Sequence, residues 1–193
     1  MKIVGVGCGP GMLTENAIMA ISQADLIYGS KRAIELVSHH TKNNCEIHEI
    51  SDYKNLKTLP DNAVILSTGD PMLAGLGYLR GEIIPGVSSM QVSFAILGIS
   101  LIRSVVVTAH GKNHTAAINA TIEEVKREKV VFLIADPDFS VKILAASLSP
   151  VYPDCKISVC ENLGYPDERI SSGTAINPPI PRGKLFAIVV GNY

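Results

Sequence analysis

Four short stretches carry residue types and spacings that could do chemistry. In Gly69-Asp70-Pro71, the proline pushes Asp70 away from helical angles and toward an extended conformation, directly after an apolar run ending at Ser67. The Asp70 carboxylate and the adjoining main chain are then presented at a strand end, where open α/β sheets bind ligands. Pro85-Gly86 repeats the turn one strand later. Ser88, placed as a helix N-cap, and Ser89 offer hydroxyls and main-chain N–H groups to a ligand carboxylate or ribose. Gly5-Val6-Gly7-Cys8-Gly9-Pro10-Gly11 follows the first apolar run and has the look of a nucleotide cradle. Glu161–Ile170, ENLGYPDERI, gathers three acids and one arginine in a turn. There Glu161 could orient a ligand or pair with Arg169.

The glycine loop is not a dinucleotide fingerprint. That motif needs glycine at relative positions one, three and six. From Gly5 the sixth residue is Pro10, and from Gly7 it is Met12. The helix also starts too late, at Thr14, to meet a pyrophosphate with its N-terminus. No Ser-His-Asp arrangement, metal-ligand cluster or P-loop lysine motif is present. The four cysteines, Cys8, Cys45, Cys155 and Cys160, form no metal or redox spacing and read as reduced thiols. With a formal net charge of −1, no global field draws the chain to nucleic acid or to an anionic membrane. No secretion signal or membrane-spanning run is expected, which points to the cytoplasm.

The elements that must position these residues alternate along 193 residues, a length that suits one large or two small domains. Strands are expected at KIVGVG, DLIYG, CEIHEI, NAVILS and EIIPG, with SVVVTAHG closing the first half. Helices are expected from Thr14 to about Ala24, from Lys31 to Val37 after a Ser30 cap, and over Leu73–Leu79 and Ser88–Leu97. The second half reads as a polar amphipathic helix in GKNHTAAINATIEEVKREK, a strand in VVFLIADP and a helix over Phe139–Leu148. Strands at KISVCENLG, ERISSGTA and LFAIVVGN follow, with NPPIPRG as a loop. This pattern predicts an α/β protein: residues 1–110 as a domain with a mostly parallel sheet, and 111–193 as a smaller, mixed α/β domain.

Taken in order over nearly the whole chain, the stretches resemble the tetrapyrrole methylase family, S-adenosylmethionine-dependent C-methyltransferases of corrin and sirohaem synthesis. The family's G-x-G-P-G loop is matched by Gly7-Cys8-Gly9-Pro10-Gly11. Its G-D-P motif is matched by Gly69-Asp70-Pro71, and its P-G-[VI]-S-S motif by Pro85–Ser89. Thr108–Lys112 (TAHGK) and ENLGYPDERI look like the branch that methylates C5 of cobalt-precorrin-7 in cobalamin biosynthesis. Met72-Leu73-Ala74 stands where that branch often has an aromatic pair, and Lys112 where it often has arginine. The resemblance implies a two-domain tetrapyrrole methylase fold with a cleft between the domains. The methyl donor would sit at the carboxyl edge of the first sheet.

Carried over residue by residue, the resemblance places the donor against Cys8, Gly9, Asp70, Leu73, Ser88 and Ser89, with Leu133, Ile134 and Leu163 walling the adenine. A tetrapyrrole substrate with several carboxylates would meet Pro10, His110, Lys112 and Glu161. Lys31, Arg32, Arg80 and His114 are further basic candidates; Lys31 and Arg32, like His39 and His40, read better as solvated. The resemblance also implies a homodimer and, because some relatives carry a fused C15-methyltransferase/decarboxylase, a separate partner for that step. No catalytic base is singled out. A sulfonium methyl is already electrophilic and an enamine-like ring carbon already nucleophilic, so alignment and exclusion of water are what the protein must supply. Two other readings stay open: a methyltransferase of the same fold acting on a diphthamide precursor or ribosomal RNA, and a non-catalytic subunit that binds the donor or the corrinoid.

Overall fold

Strands buried on both faces read as unbroken apolar runs, and the run that ends at Ser67 is such a strand. All four residues of β4 (Val64–Ser67) are buried. It lies inside a parallel sheet with β1 (Lys2–Gly5), β2 (Leu26–Gly29), β3 (Glu46–Glu49) and β5 (Glu82–Ile84), in the order β3-β2-β4-β1-β5. The structure is a computed structural model that describes residues 1–111 and 113–193, with Ala74 described by its main chain alone.

Alternate residues of the inner strands face opposite sides of this sheet. Val4 and Leu66 join Ala17, Ile21 and Ile27 on one side, whereas Ile3 and Ile65 join Leu56, Leu76 and Leu79 on the other. α1 (Glu15–Gln23) begins where expected: the Thr14 hydroxyl accepts the Ala17 N–H at 3.2 Å. α2 (Lys31–Val37) is capped in the same way by Ser30. The helix expected over Leu73–Leu79 is shorter. α3 spans Pro71–Ala74, and the chain then turns so that Gly77 N–H reaches Pro71 O at 2.9 Å. A Cβ at Gly77 would lie 2.7 Å from Pro71 O and 2.6 Å from Met72 Sδ, so the tight turn after α3 leaves no room for a side chain there.

The chain divides into two compact units, Met1–Ser89 and Met90–Tyr193. The expected division at 110/111 differs because β6 (Ser104–Ala109) does not close the first sheet. It pairs in parallel with β7 (Val130–Ala135), from Ser104↔Val130 to Ala109↔Ala135. α4 (Ser89–Leu97) goes with it, its Phe94 ring meeting Phe132 of β7 edge-on at 6.4 Å. The second sheet continues antiparallel through β10 (Phe186–Gly191), β8 (Lys156–Glu161) and β9 (Arg169–Thr174), in the order β6-β7-β10-β8-β9. α5 (His114–Lys126) and α6 (Val141–Leu148) supply Ile118, Val125, Leu144 and Leu148 to its core. Two 3-10 turns, Tyr53–Thr58 and Leu101–Arg103, lie where no element was expected. Among the described residues, no helix is long and apolar enough to cross a membrane.

Candidate active site

Three loops leave the carboxyl edge of the first sheet, after β1, β4 and β5, and the glycines between them set how closely they approach. A Cβ on Gly5 would lie 2.5 Å from Gly86 N and 2.9 Å from Gly69 O, and a Cβ on Gly86 would lie 2.4 Å from Gly69 O. Only bare main chain fits there. Gly7 and Gly69 pair as an isolated antiparallel bridge, Gly69 donating to Gly7 O at 2.7 Å and Gly7 to Gly69 O at 3.3 Å. Both glycines have positive φ, 78° and 71°, a region L-residues enter only at a cost. Gly5 and Gly7 of the opening loop therefore serve main-chain contact between loops.

Asp70 completes this interlock. Its Oδ1 accepts the Met72 N–H at 2.7 Å, capping α3, and its Oδ2 accepts the Gly86 N–H at 3.0 Å, sixteen residues on. One carboxylate thus ties the loop after β4 to the loop after β5. Six expected donor contacts lie on these three loops. Cys8 is half-buried with its thiol 3.5 Å from Met12 Sδ, and Gly9 is buried. Asp70 and Leu73 follow β4, while Ser88, buried, and Ser89, at the start of α4, follow β5. Pro10 is exposed at the tip of the first loop. A Cβ on Gly69 would come no closer than 4.0 Å to Ser88 Cα, and one on Gly11 would meet nothing within 4 Å. Polar main chain, two serines and a carboxylate thus gather where the chain leaves β1, β4 and β5.

In the second unit, His110 is exposed just past β6, its N–H 3.4 Å from the Thr108 hydroxyl. Lys112, expected beside it, lies outside the described residues. His114, at the first turn of α5, is held by an acid that belongs to none of the sequence motifs. Asp136 Oδ2 accepts the His114 Nε2–H at 2.9 Å and the Gly111 N–H at 3.1 Å. The hydrogen bonds from the His114 imidazole and from the Gly111 N–H hold the Asp136 carboxyl below the usual carboxylate range. Its only local signal is Asp136-Pro137 after a buried strand, the same sequence pattern as Asp70-Pro71. Of the expected adenine walls, Leu133 has no exposed surface and belongs to the core with Val107, Leu144 and Ile188. Its side chain is committed to packing. Leu163 is buried as well, and Ile134, on the other face of β7, is half-buried.

Glu161 is the most deeply buried carboxylate among the described residues, 2% exposed at the end of β8. Its Oε1 accepts the N–H groups of Arg182 and Gly183 at 2.6 and 2.7 Å, and Arg169, directly across the β8–β9 ladder, pairs with Oε2. The turn between is held from within: Asn162 Nδ2 donates to Asp167 Oδ2 at 2.8 Å, and Gly164 N–H to Glu168 Oε2 at 2.7 Å. All three acids of ENLGYPDERI thus have a partner inside the unit. Burial works against the Glu161 anion, but the N–H groups of Gly183 and Arg182 and the Arg169 guanidinium outweigh it and hold the carboxyl below its ordinary value. The anion therefore stabilises the fold at neutral pH, and that contribution is lost as pH falls through the lowered folded value. Glu161→Gln is expected to cost about 2–3 kcal/mol at pH 7, because a buried partner set loses its charge. The gap from the parent protein should narrow as pH is taken from 5 toward 3. Urea titrations across that range check both the size and the trend.

The chain belongs to the tetrapyrrole (corrin/porphyrin) methylase family, whose pattern matches residues 2–177. It is similar to the "Probable cobalt-precorrin-7 C(5)-methyltransferase" of Methanocaldococcus jannaschii, 38% identical over 188 residues that cover 86% of this chain and 86% of that one. It is also 28% identical to the precorrin-6Y C(5,15)-methyltransferase [decarboxylating] of Mycobacterium tuberculosis, over 97% of this chain and 51% of that one. The crystal structure of the cobalamin-biosynthesis precorrin-6Y methylase of Archaeoglobus fulgidus superposes with a TM-score of 0.78 at 27% identity, over 100% of this chain and 98% of that one. The α/β fold class expected from the sequence, with a parallel first sheet and a mixed second, is therefore the one found, although the second unit, Met90–Tyr193, is not the smaller.

Proposed function

We propose that the chain is an S-adenosylmethionine-dependent C-methyltransferase of cobalamin biosynthesis that methylates C5 of cobalt-precorrin-7. The observation that carries this reading is the 38% identity across 86% of both chains to the Methanocaldococcus jannaschii protein of that name. The donor supplies a methyl group on a sulfonium, which needs no activation by the protein. What the chain contributes is placement. The loops after β1, β4 and β5, fixed to one another through glycine main chain and Asp70, would hold the donor with Cys8, Gly9, Leu73, Ser88 and Ser89. Because these loops are already bonded to each other, little ordering has to be supplied on binding. His110 and Lys112 would meet substrate carboxylates, and a second copy of the chain is expected as its partner in solution.

Calorimetric titration with S-adenosylhomocysteine, with NAD as the control, tests the donor half of this reading. Micromolar binding of S-adenosylhomocysteine alone is expected. Binding of NAD in its place would overturn the assignment.

A further inference from the structure

The two units use the same device at corresponding places. In the first, Asp70 follows buried β4, precedes a proline, accepts the N–H two residues ahead with Oδ1 and accepts a glycine N–H from a different loop with Oδ2. In the second, Asp136 follows β7, precedes Pro137, accepts the Asp138 N–H at 3.0 Å with Oδ1 and accepts the Gly111 N–H at 3.1 Å with Oδ2. Gly86 and Gly111 are the glycines served. Asp136 carries one partner more, the imidazole of His114, which Phe139 holds edge-on at 5.3 Å from the other side.

Gly111 needs such support. Its φ is +124°, a conformation L-residues rarely adopt, although a Cβ there would meet nothing within 4 Å. The glycine is there for its backbone angle and not for lack of space. His110 is exposed beside it, so the fold around this residue gains little from burial and depends on directed bonds. β6 and β7 are parallel and in register to Ala109↔Ala135, so the loops that follow them start side by side.

We propose that Asp136 is a positioning residue for the chain after β6: from the end of β7 it fixes the Gly111 main chain and His114, and so sets how His110 is presented to the tetrapyrrole carboxylates. The inference rests on the reading that this loop meets the substrate. Asp136 does not itself touch substrate. It acts through the loop, as Asp70 acts through the loop after β5.

The test uses Asp136→Ala, Gly111→Ala and the double variant. In Asp136→Ala, amide exchange at Gly111 is expected to speed up about thirtyfold or more, because the carboxylate that accepts its N–H is gone. KM for the tetrapyrrole is expected to rise about tenfold, with kcat and S-adenosylhomocysteine affinity within about threefold of the parent. Gly111→Ala should reproduce the KM effect, and the double variant should be no worse than the poorer single, since both break one loop conformation. Unchanged Gly111 exchange overturns the proposal whatever the activity. Strictly additive KM effects, or a matching loss of donor affinity, overturn it too, the second by marking general damage. If the parent protein transfers no methyl group to the tetrapyrrole, it is the functional reading that fails, and the exchange measurement still decides the role of Asp136.

Discussion

Gly86→Ala is expected to give a protein that is destabilised by about 3 kcal/mol or more and that binds no methyl donor. The new Cβ would lie 2.4 Å from Gly69 O, in the loop after β4, and 2.7 Å from Gly5 C, at the end of β1. None of these is the tip of a flexible side chain, so the only relief is to move a loop and break the Gly7–Gly69 bridge or the Asp70–Gly86 hydrogen bond. Relief by moving a loop removes the arrangement proposed to hold the donor. Gly11→Ala is the control. Gly11 also has a positive φ, +75°, but a Cβ there meets nothing within 4 Å. Its expected cost is only about 1 kcal/mol, from backbone preference alone. Denaturant titrations of the two variants separate crowding from backbone strain. A Gly86→Ala protein as stable as Gly11→Ala would mean that the three loops are not interlocked.

Asp70→Ala is expected to weaken binding of S-adenosylmethionine and S-adenosylhomocysteine alike, by about ten- to a hundredfold, or about 1.4–2.8 kcal/mol. The reasoning is geometric. With the carboxylate gone, the buried Gly86 N–H loses its acceptor and α3 loses its cap, changes worth about 1–3 and about 1 kcal/mol. A carboxylate that served only to attract a cationic sulfur would behave differently. Its removal would weaken the sulfonium compound and spare the uncharged thioether. Asp70→Asn sharpens the contrast. It keeps one oxygen for one of the two N–H groups, so a partial loss for both ligands is expected. Calorimetry with the two ligands on the two variants decides the matter. Selective loss of S-adenosylmethionine would show that charge, and not loop positioning, is the role of Asp70.

Much of the fold is legible in the order of the amino acids. Thr14 and Ser30 announce α1 and α2 because an N-cap is a local event between residues three apart. β4 and β10 announce themselves by unbroken apolar runs. The three motif loops fall at strand ends because glycine and proline punctuate chains there. Contact across long separations is not legible in this way. Gly5 and Gly86 touch main chain to main chain, and nothing in either segment names the other. β6 looks the same whether it joins the first sheet or the second. Its partner is decided by the match with β7 and by Phe94 reaching Phe132. Leu133 and Ile134 are adjacent in sequence, yet the pleat sends one into the core and leaves the other half-buried. Asp136 escapes notice because an Asp-Pro after a strand is common, and its two distant partners, Gly111 and His114, lie more than twenty residues upstream.

The central claim is methyl transfer to one ring carbon. The most direct test incubates the purified protein with cobalt-precorrin-7 and S-adenosylmethionine labelled with carbon-13 in its methyl group, and locates the label by NMR. The account predicts one labelled methyl per tetrapyrrole, bonded to C5, with S-adenosylhomocysteine formed in equal amount. A product labelled at another ring carbon, or tetrapyrrole recovered unlabelled by a protein that binds both compounds, would contradict it.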